Sequence, residues 1–209
     1  MKIQCFGDSV TFGEIDIDNG GWVDQLKRSY IKRQACLTRQ DISVYNLGIA
    51  GETTDGLCIR FEIELKARIK KGLRSLVMFA YGANDIVIHK NKNIVPVEYF
   101  IKNLKQCIQN AKANDCEILL IGLTPIDDSI DGVANQHDKL RYGNDIKKYN
   151  SALEDLAKET ESLFLDIYDE FNLNNKPSLL SSDGLHPNSA GHRVIYRMVK
   201  QWLRDEINL

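Results

Sequence analysis

Short apolar runs alternate along this chain with longer stretches in which apolar residues recur every three to four positions. The runs are almost continuously apolar, which is typical of strands buried on both faces of a parallel sheet. The longer stretches have the period of helices that bury one face. This alternation predicts βαβ units and a parallel sheet covered by helices on both sides. We predict five strands, at Ile3–Phe6, Ile42–Leu47, Leu76–Tyr81, Ile118–Leu123 and Leu163–Ile167.

Five helices are expected between and after these strands. A chain of 209 residues can bury a core large enough to fold without disulfides or metals. Because no repeat, low-complexity tract or linker divides the sequence, we predict one domain spanning residues 1–209. The apolar stripes of the predicted helices run from Trp22 to Tyr30, Leu57 to Ile69, Val97 to Ala111, Ile146 to Leu156 and Ala190 to Leu203.

The charge balance excludes partners held mainly by electrostatic attraction. The chain has 27 basic and 29 acidic residues, a net charge of −2, which argues against nucleic acids and anionic membrane surfaces. The basic residues between Lys66 and Arg74 are interpreted as a solvated helix end, with a nucleic-acid patch as the weaker alternative. No apolar run is long enough to span a bilayer. The first residues resemble no signal peptide, so we expect a cytoplasmic protein.

Cysteine and histidine spacings predict no metal site and no disulfide framework. The cysteines are odd in number, never within four residues of one another, and form no CxxC pair. No HExxH-like pair of histidines occurs. We expect His89 and His137 to be surface residues and His192 to lie on the surface of the last helix. The five cysteines are Cys5, Cys36, Cys58, Cys107 and Cys116.

Residues able to do chemistry follow the predicted strands directly. Ser9 follows the first strand, Gly51 the second and Asn84 the third, and Asp183 and His186 lie beyond the fifth. Each alone has an ordinary explanation as a turn or helix cap. The carboxyl ends of parallel strands meet at one edge of a sheet, where ligands bind at the point of reversal in strand order. We therefore expect these residues to converge.

Together these residue types supply what serine hydrolysis requires. Ser9 would be the nucleophile, His186 its general base, and Asp183 the group that orients the imidazole. The backbone N–H groups of Ser9 and Gly51 and the side-chain amide of Asn84 are candidate oxyanion donors. The absence of a GxSxG elbow argues against the common α/β-hydrolase arrangement. The neighbouring aspartates at positions 8 and 85 are expected to hold turns.

Four motifs occur along the chain in the order Gly7-Asp8-Ser9, Gly51, Gly82-x-Asn84-Asp85 and Asp183-x-x-His186-Pro187. Their residues and order resemble those of the GDSL/SGNH hydrolase superfamily. The resemblance runs from Phe6 to Gly191, with Val10 in place of the leucine in the family's name. It implies a flavodoxin-like three-layer α/β/α sandwich with a five-stranded parallel sheet. It also implies cleavage of acyl esters or thioesters, such as lipids, aryl esters, acyl-CoA or acetylated sugars, without a metal or organic cofactor.

Two other functions fit the same fold. One is a binding module or partner subunit without catalysis. The other is a flavodoxin-type nucleotide or phosphate binder at the Gly7–Thr11 turn, although no GxGxxG or Walker motif occurs. The polar segment Thr124–Tyr142 is expected to line or cover the acyl pocket, with a solvated mobile lid as the alternative. Its aspartates favour a polar substrate. The sequence predicts no particular acyl group, leaving group or oligomeric state.

Overall fold

The computed structural model describes residues 1–35 and 42–207. The strands are β1 (Lys2–Gly7), β2 (Ser43–Gly48), β3 (Ser75–Ala80), β4 (Ile88–His89), β5 (Lys92–Asn93), β6 (Cys116–Ile121), β7 (Lys139–Leu140) and β8 (Leu163–Leu165). The helices are α1 (Ser9–Phe12), α2 (Gly21–Ala35), α3 (Thr54–Lys66), α4 (Val97–Lys112), α5 (Gly143–Glu159), α6 (Tyr168–Leu173), α7 (Lys176–Leu179) and α8 (Ser189–Ile207).

Five strands form one parallel sheet in the order β2-β1-β3-β6-β8. The chain runs outward from β1 to β2 and then returns across β1 to β3, so the strand order reverses between β1 and β3. At this reversal Gly7 of β1 pairs with Gly48 of β2 on one side and Ala80 of β3 on the other. The carboxyl ends of these three strands therefore form the edge at which a ligand site is expected.

Helices cover both faces of the sheet. On one face α3, α4 and α5 bury a core that includes a cluster of three aromatic rings, Phe6, Phe61 and Phe79, with centroids 5.0 to 6.0 Å apart. On the other face α2 and α8 bury a second core around Trp22 and Ile195. The apolar strands contribute to both cores, since alternate side chains point to opposite faces. The predicted α/β sandwich with a five-stranded parallel sheet is confirmed.

Several local features differ from the sequence-based expectations. The five predicted strands are present with ends shifted by up to two residues, but α1, α6, α7 and a small antiparallel sheet, β5-β4-β7, were not predicted. The segment 124–142 is not wholly irregular, since it contains a 3-10 turn at Asp128–Ile130 as well as β7. Cys5 and Cys116 are buried as expected, and Cys36 lies outside the described residues.

The prediction that His192 lies on a helix surface is wrong. Its side chain is fully buried in the first turn of α8. The Nε2 atom lies 3.4 Å from the carbonyl oxygen of Glu14, and burial lowers the pKa of the imidazole. The segment that follows α1 covers this helix face, and helical spacing alone cannot show such a contact.

No helix among the described ranges, 1–35 and 42–207, is long and apolar enough to cross a bilayer.

Candidate active site

Ser9 is held at the sheet edge by the turn that joins β1 to α1. Asp8 caps α1 by accepting a hydrogen bond from the Val10 backbone N–H at 3.0 Å. The helix packs directly against the end of β2, where a Cβ atom at Gly48 would lie 2.2 Å from the Phe12 nitrogen. The close packing of α1 therefore requires glycine at position 48, and the φ angle of Gly48 is not positive. As a result, Ser9 is buried at the reversal in strand order.

The side chains of Ser9, His186 and Asp183 form a continuous hydrogen-bonded chain. The Ser9 Oγ lies 2.9 Å from His186 Nε2, and His186 Nδ1 lies 2.6 Å from Asp183 Oδ2. The other Asp183 oxygen accepts from the Ser181 hydroxyl and from the backbone N–H groups of Leu185 and His186. Partial burial raises the pKa of Asp183, but these hydrogen bonds outweigh burial and lower it to about 2. The imidazole is therefore held by an ionised carboxylate.

The predicted oxyanion donors lie on the loops that follow β2 and β3. Gly51 is an exposed residue with a φ of +77°, and its backbone N–H donates no hydrogen bond to another described residue. The Asn84 Nδ2 donates to the carbonyl oxygen of Glu52 at 3.1 Å, which places the Asn84 amide against the loop that carries Gly51. At its other end, Asn84 Oδ1 faces Arg141 Nη2 at 3.4 Å. Asn84 thus contacts both the loop after β2 and the residue that follows β7.

A buried ion pair, Glu52–Arg60, holds the loop between β2 and α3 that carries Gly51, called here the Gly51 loop. The Arg60 guanidinium donates to both Glu52 carboxylate oxygens, and the Tyr81 hydroxyl donates to Oε2 at 2.5 Å. Arg60 Nη2 also donates to the carbonyl oxygen of Leu47 at 2.7 Å. Burial lowers the pKa of Arg60, but the hydrogen bonds to Glu52 outweigh it and the net shift is upward. Sequence reasoning missed this network because it joins a loop to a helix surface without a local pattern.

Asp8 and Asp85 make the turn-holding hydrogen bonds expected of them. Asp85 accepts from the Thr54 backbone N–H at 3.0 Å and from the Thr54 hydroxyl at 2.5 Å, which fixes the start of α3. Burial raises the pKa of Asp85 to about 6 and that of Asp8 to about 7.

A cleft of about 390 Å³ adjoins His186 and Asp183. Its other walls come mainly from segment 124–142, so this segment lines a cleft beside His186, while its role as the wall or cover of an acyl pocket stays a prediction. The lining includes the apolar side chains of Ile130, Val133 and Leu140.

None of the four aspartates of segment 124–142, Asp127, Asp128, Asp131 and Asp138, is among the residues that line this cleft. Asp127 caps the 3-10 turn, Asp128 pairs with Lys176 at 2.5 Å, and Asp131 accepts from the Gly143 N–H at 3.1 Å. They therefore give no support to the expectation of a polar substrate.

Glu14 is a further carboxylate near the imidazole that sequence reasoning did not identify. Its Oε2 lies 3.8 Å from His186 Nε2, on a side chain that is 45% exposed. Within the part of the chain that the structure describes, no group of three His, Cys, Asp or Glu residues is placed to hold a metal ion.

Residues 5–194 match the model of the GDSL-like lipase/acylhydrolase family. The chain belongs to this family. The predicted family is thereby confirmed, and with it the prediction of a GDSL/SGNH-type carboxylic ester hydrolase.

Relatives of this GDSL-family hydrolase cover nearly its full length. It is 28% identical over 207 residues to an acetylxylan esterase of Geobacillus stearothermophilus, covering 94% of this chain and 90% of that one. A lipolytic G-D-S-L family protein of Veillonella parvula has a similar structure, with a TM-score of 0.74, 22% identity and complete coverage of both chains. The esterase EstA of a Pseudoalteromonas species has a TM-score of 0.74 and 20% identity, covering 100% of this chain and 99% of that one.

Proposed function

We propose that this GDSL-family hydrolase cleaves acyl esters or thioesters of small molecules through a Ser9–His186–Asp183 triad and an acyl-enzyme intermediate. The observation that carries the proposal is the unbroken path from Ser9 Oγ through both imidazole nitrogens to an ionised carboxylate. A nucleophile, a base within hydrogen-bonding distance and a group that orients the base are the components such catalysis needs.

In the first half-reaction, Ser9 Oγ attacks the acyl carbonyl carbon while His186 Nε2 takes the hydroxyl proton. The carbonyl electron pair moves to oxygen, giving a tetrahedral oxyanion. This oxyanion would be stabilised by the N–H groups of Ser9 and Gly51 and by one Nδ2–H of Asn84. When the electron pair returns, the bond to the leaving oxygen or sulfur breaks, and the leaving group takes the proton from His186.

In the second half-reaction, water replaces the alcohol or thiol. His186 takes a proton from water as its oxygen attacks the acyl carbon of the Ser9 ester. The second tetrahedral intermediate collapses, the carboxylic acid leaves, and Ser9 recovers its proton. Asp183 stays ionised throughout and stabilises the imidazolium formed in each half-reaction.

The cleft beside His186 and the relatives of the chain guide the choice of substrates. The mainly apolar wall from segment 124–142 suits a short acyl or aryl group. The likeness to an acetylxylan esterase adds acetylated sugars to the candidates. The test set is therefore a chain-length series of p-nitrophenyl esters from acetate to octanoate, the matching acyl-CoA thioesters, and acetylated xylo-oligosaccharides.

Labelling and hydrolysis together test the proposal. The wild type should cleave at least one ester or thioester, and a fluorophosphonate should modify Ser9. Ser9→Ala should lose both properties, whereas Ser151→Ala, which changes an exposed serine on α5, should keep both. Failure of the wild type to cleave any member of the series and to react with the probe would refute the proposed function, and the same activity in Ser9→Ala would refute the assigned nucleophile.

A further inference from the structure

Arg141 occupies an unusual position for a cationic side chain. It follows β7 and is only partly exposed, yet it forms no ion pair within the described residues. Its backbone is fixed from both sides, because the Gly132 N–H donates to its carbonyl oxygen at 2.8 Å and β7 pairs with β4. Its side chain crosses to the loop after β3, where Nε donates to the Ala83 carbonyl oxygen at 2.7 Å.

The same guanidinium faces one end of the Asn84 amide. Arg141 Nη2 lies 3.4 Å from Asn84 Oδ1, while Asn84 Nδ2 lies 3.1 Å from the Glu52 carbonyl oxygen. A guanidinium can only donate hydrogen bonds, and a carbonyl oxygen can only accept them. The atom of Asn84 that faces Arg141 must therefore be the oxygen, and the atom that faces Glu52 must be the nitrogen.

We propose that Arg141 is a positioning residue of the oxyanion site, which fixes the Asn84 amide in the orientation that leaves one Nδ2–H available to the substrate oxyanion. The inference rests on the proposed function and adds a role for segment 124–142 beyond lining the cleft. With the amide reversed, its oxygen would face the Glu52 carbonyl oxygen and the developing negative charge.

Charge reinforces this orientation. A guanidinium beside Oδ1 withdraws electron density from the amide and makes its N–H groups better donors. The 3.4 Å separation is long for a hydrogen bond, and contacts of this kind often shorten only when charge develops in the transition state. The effect of Arg141 should therefore fall on the chemical step and not on substrate binding.

A double-mutant cycle with Asn84 tests the proposal. Loss of one oxyanion donor typically costs about 10²–10³ in rate, so loosening Asn84 with Arg141→Gln should lower kcat by roughly tenfold or more and change KM by less than about threefold. In the Asn84→Ala background, Arg141→Gln should change kcat by less than about twofold. Arg141→Lys keeps the charge but replaces the two separate donor nitrogens of the guanidinium by a single ammonium nitrogen, so its kcat should lie between those of the wild type and Arg141→Gln.

The control is Arg74→Gln, which removes an exposed arginine paired with Glu117 at the opposite end of β3 and should leave kcat and KM unchanged. Thermal melts identify any variant that has not folded, and the cycle is then run with Arg141→Lys. An equal loss of kcat in both backgrounds, a loss seen mainly in KM, or wild-type kcat in Arg141→Gln would overturn the proposal while leaving the proposed function intact. A wild type that neither hydrolyses esters nor reacts with a fluorophosphonate would refute both.

Discussion

The buried ion pair between Glu52 and Arg60 predicts how far the free energy of unfolding falls when either residue is replaced. Only 8% of the Glu52 side chain and 15% of the Arg60 side chain are exposed. The carboxylate accepts two hydrogen bonds from Arg60 and one from Tyr81. Arg60→Met removes the first two and leaves a buried carboxylate with Tyr81 as its remaining side-chain donor, whereas Glu52→Gln leaves the guanidinium without its counter-charge.

Breaking a buried ion pair by removing one partner typically costs about 3–5 kcal/mol. We expect Arg60→Met to lower the free energy of unfolding by about 3–4 kcal/mol. Glu52→Gln should lower it by about 2–3 kcal/mol, because the amide oxygen can still accept one hydrogen bond. The double variant leaves no unpaired charge, so its loss should be smaller than the sum of the single losses by at least about 2 kcal/mol.

Urea unfolding at neutral pH measures these differences, provided that the slope against denaturant stays constant. The control is Lys66→Gln, which removes one partner of an exposed pair with Glu62 on the same helix α3 and should cost about 0.5 kcal/mol or less. If the losses of Glu52→Gln and Arg60→Met add without coupling, or if neither exceeds that of Lys66→Gln, the assignment of this pair as a buried support of the Gly51 loop is refuted.

Three further predictions concern the site. Asp183→Asn should lower kcat by about 10⁴, as expected when the group that sets the imidazole tautomer changes, while fluorescence melts remain cooperative; a kcat within tenfold of the wild type would contradict this. Because the raised pKa of Asp8 in the folded state favours the protonated form, the free energy of unfolding should fall as the pH rises from about 4 to 7. Asp8→Asn should remove part of this fall, at most about 1.4 kcal/mol per pH unit. An unchanged slope of unfolding free energy against pH would disprove this prediction. Gly48→Ala would place a Cβ atom 2.2 Å from the Phe12 nitrogen. It should destabilise the fold by about 2 kcal/mol or more and slow the reaction of Ser9 with a fluorophosphonate. A free energy of unfolding and a labelling rate equal to those of the wild type would refute the packing argument.

The elements predicted from sequence are those whose burial leaves a periodic or continuous apolar pattern. Runs such as Leu76–Tyr81 identify strands because helices cover both faces of the sheet. The helix α1 has only four residues, which is too short for a helical period to be visible. The buried His192 contacts Glu14, a residue far away in sequence, and no local pattern reports such a contact.

The location of the site could be predicted from the sequence as far as it follows from the strand order. The reversal between β1 and β3 brings the segments that follow those strands together, and the loop before α8 places His186 in contact with Ser9 there. The orientation of side chains was not predictable. No local sequence pattern points to the roles of Arg60 and Arg141, because their partners are backbone carbonyls and side chains of other segments.

Asp8, Asp85 and Asp183 each lie within three residues of a proposed catalytic or oxyanion-site residue, and their environments separate their roles. Burial raises the pKa of Asp8 to about 7 and that of Asp85 to about 6, whereas hydrogen bonds lower that of Asp183 to about 2. Near pH 5, Asp183 is therefore ionised while Asp8 is largely protonated. A carboxylate that stabilises an imidazolium must carry its charge while the imidazole cycles between its neutral and protonated forms. Asp183 alone of the three meets this requirement across the acid range, and it is also the one hydrogen-bonded to His186 Nδ1.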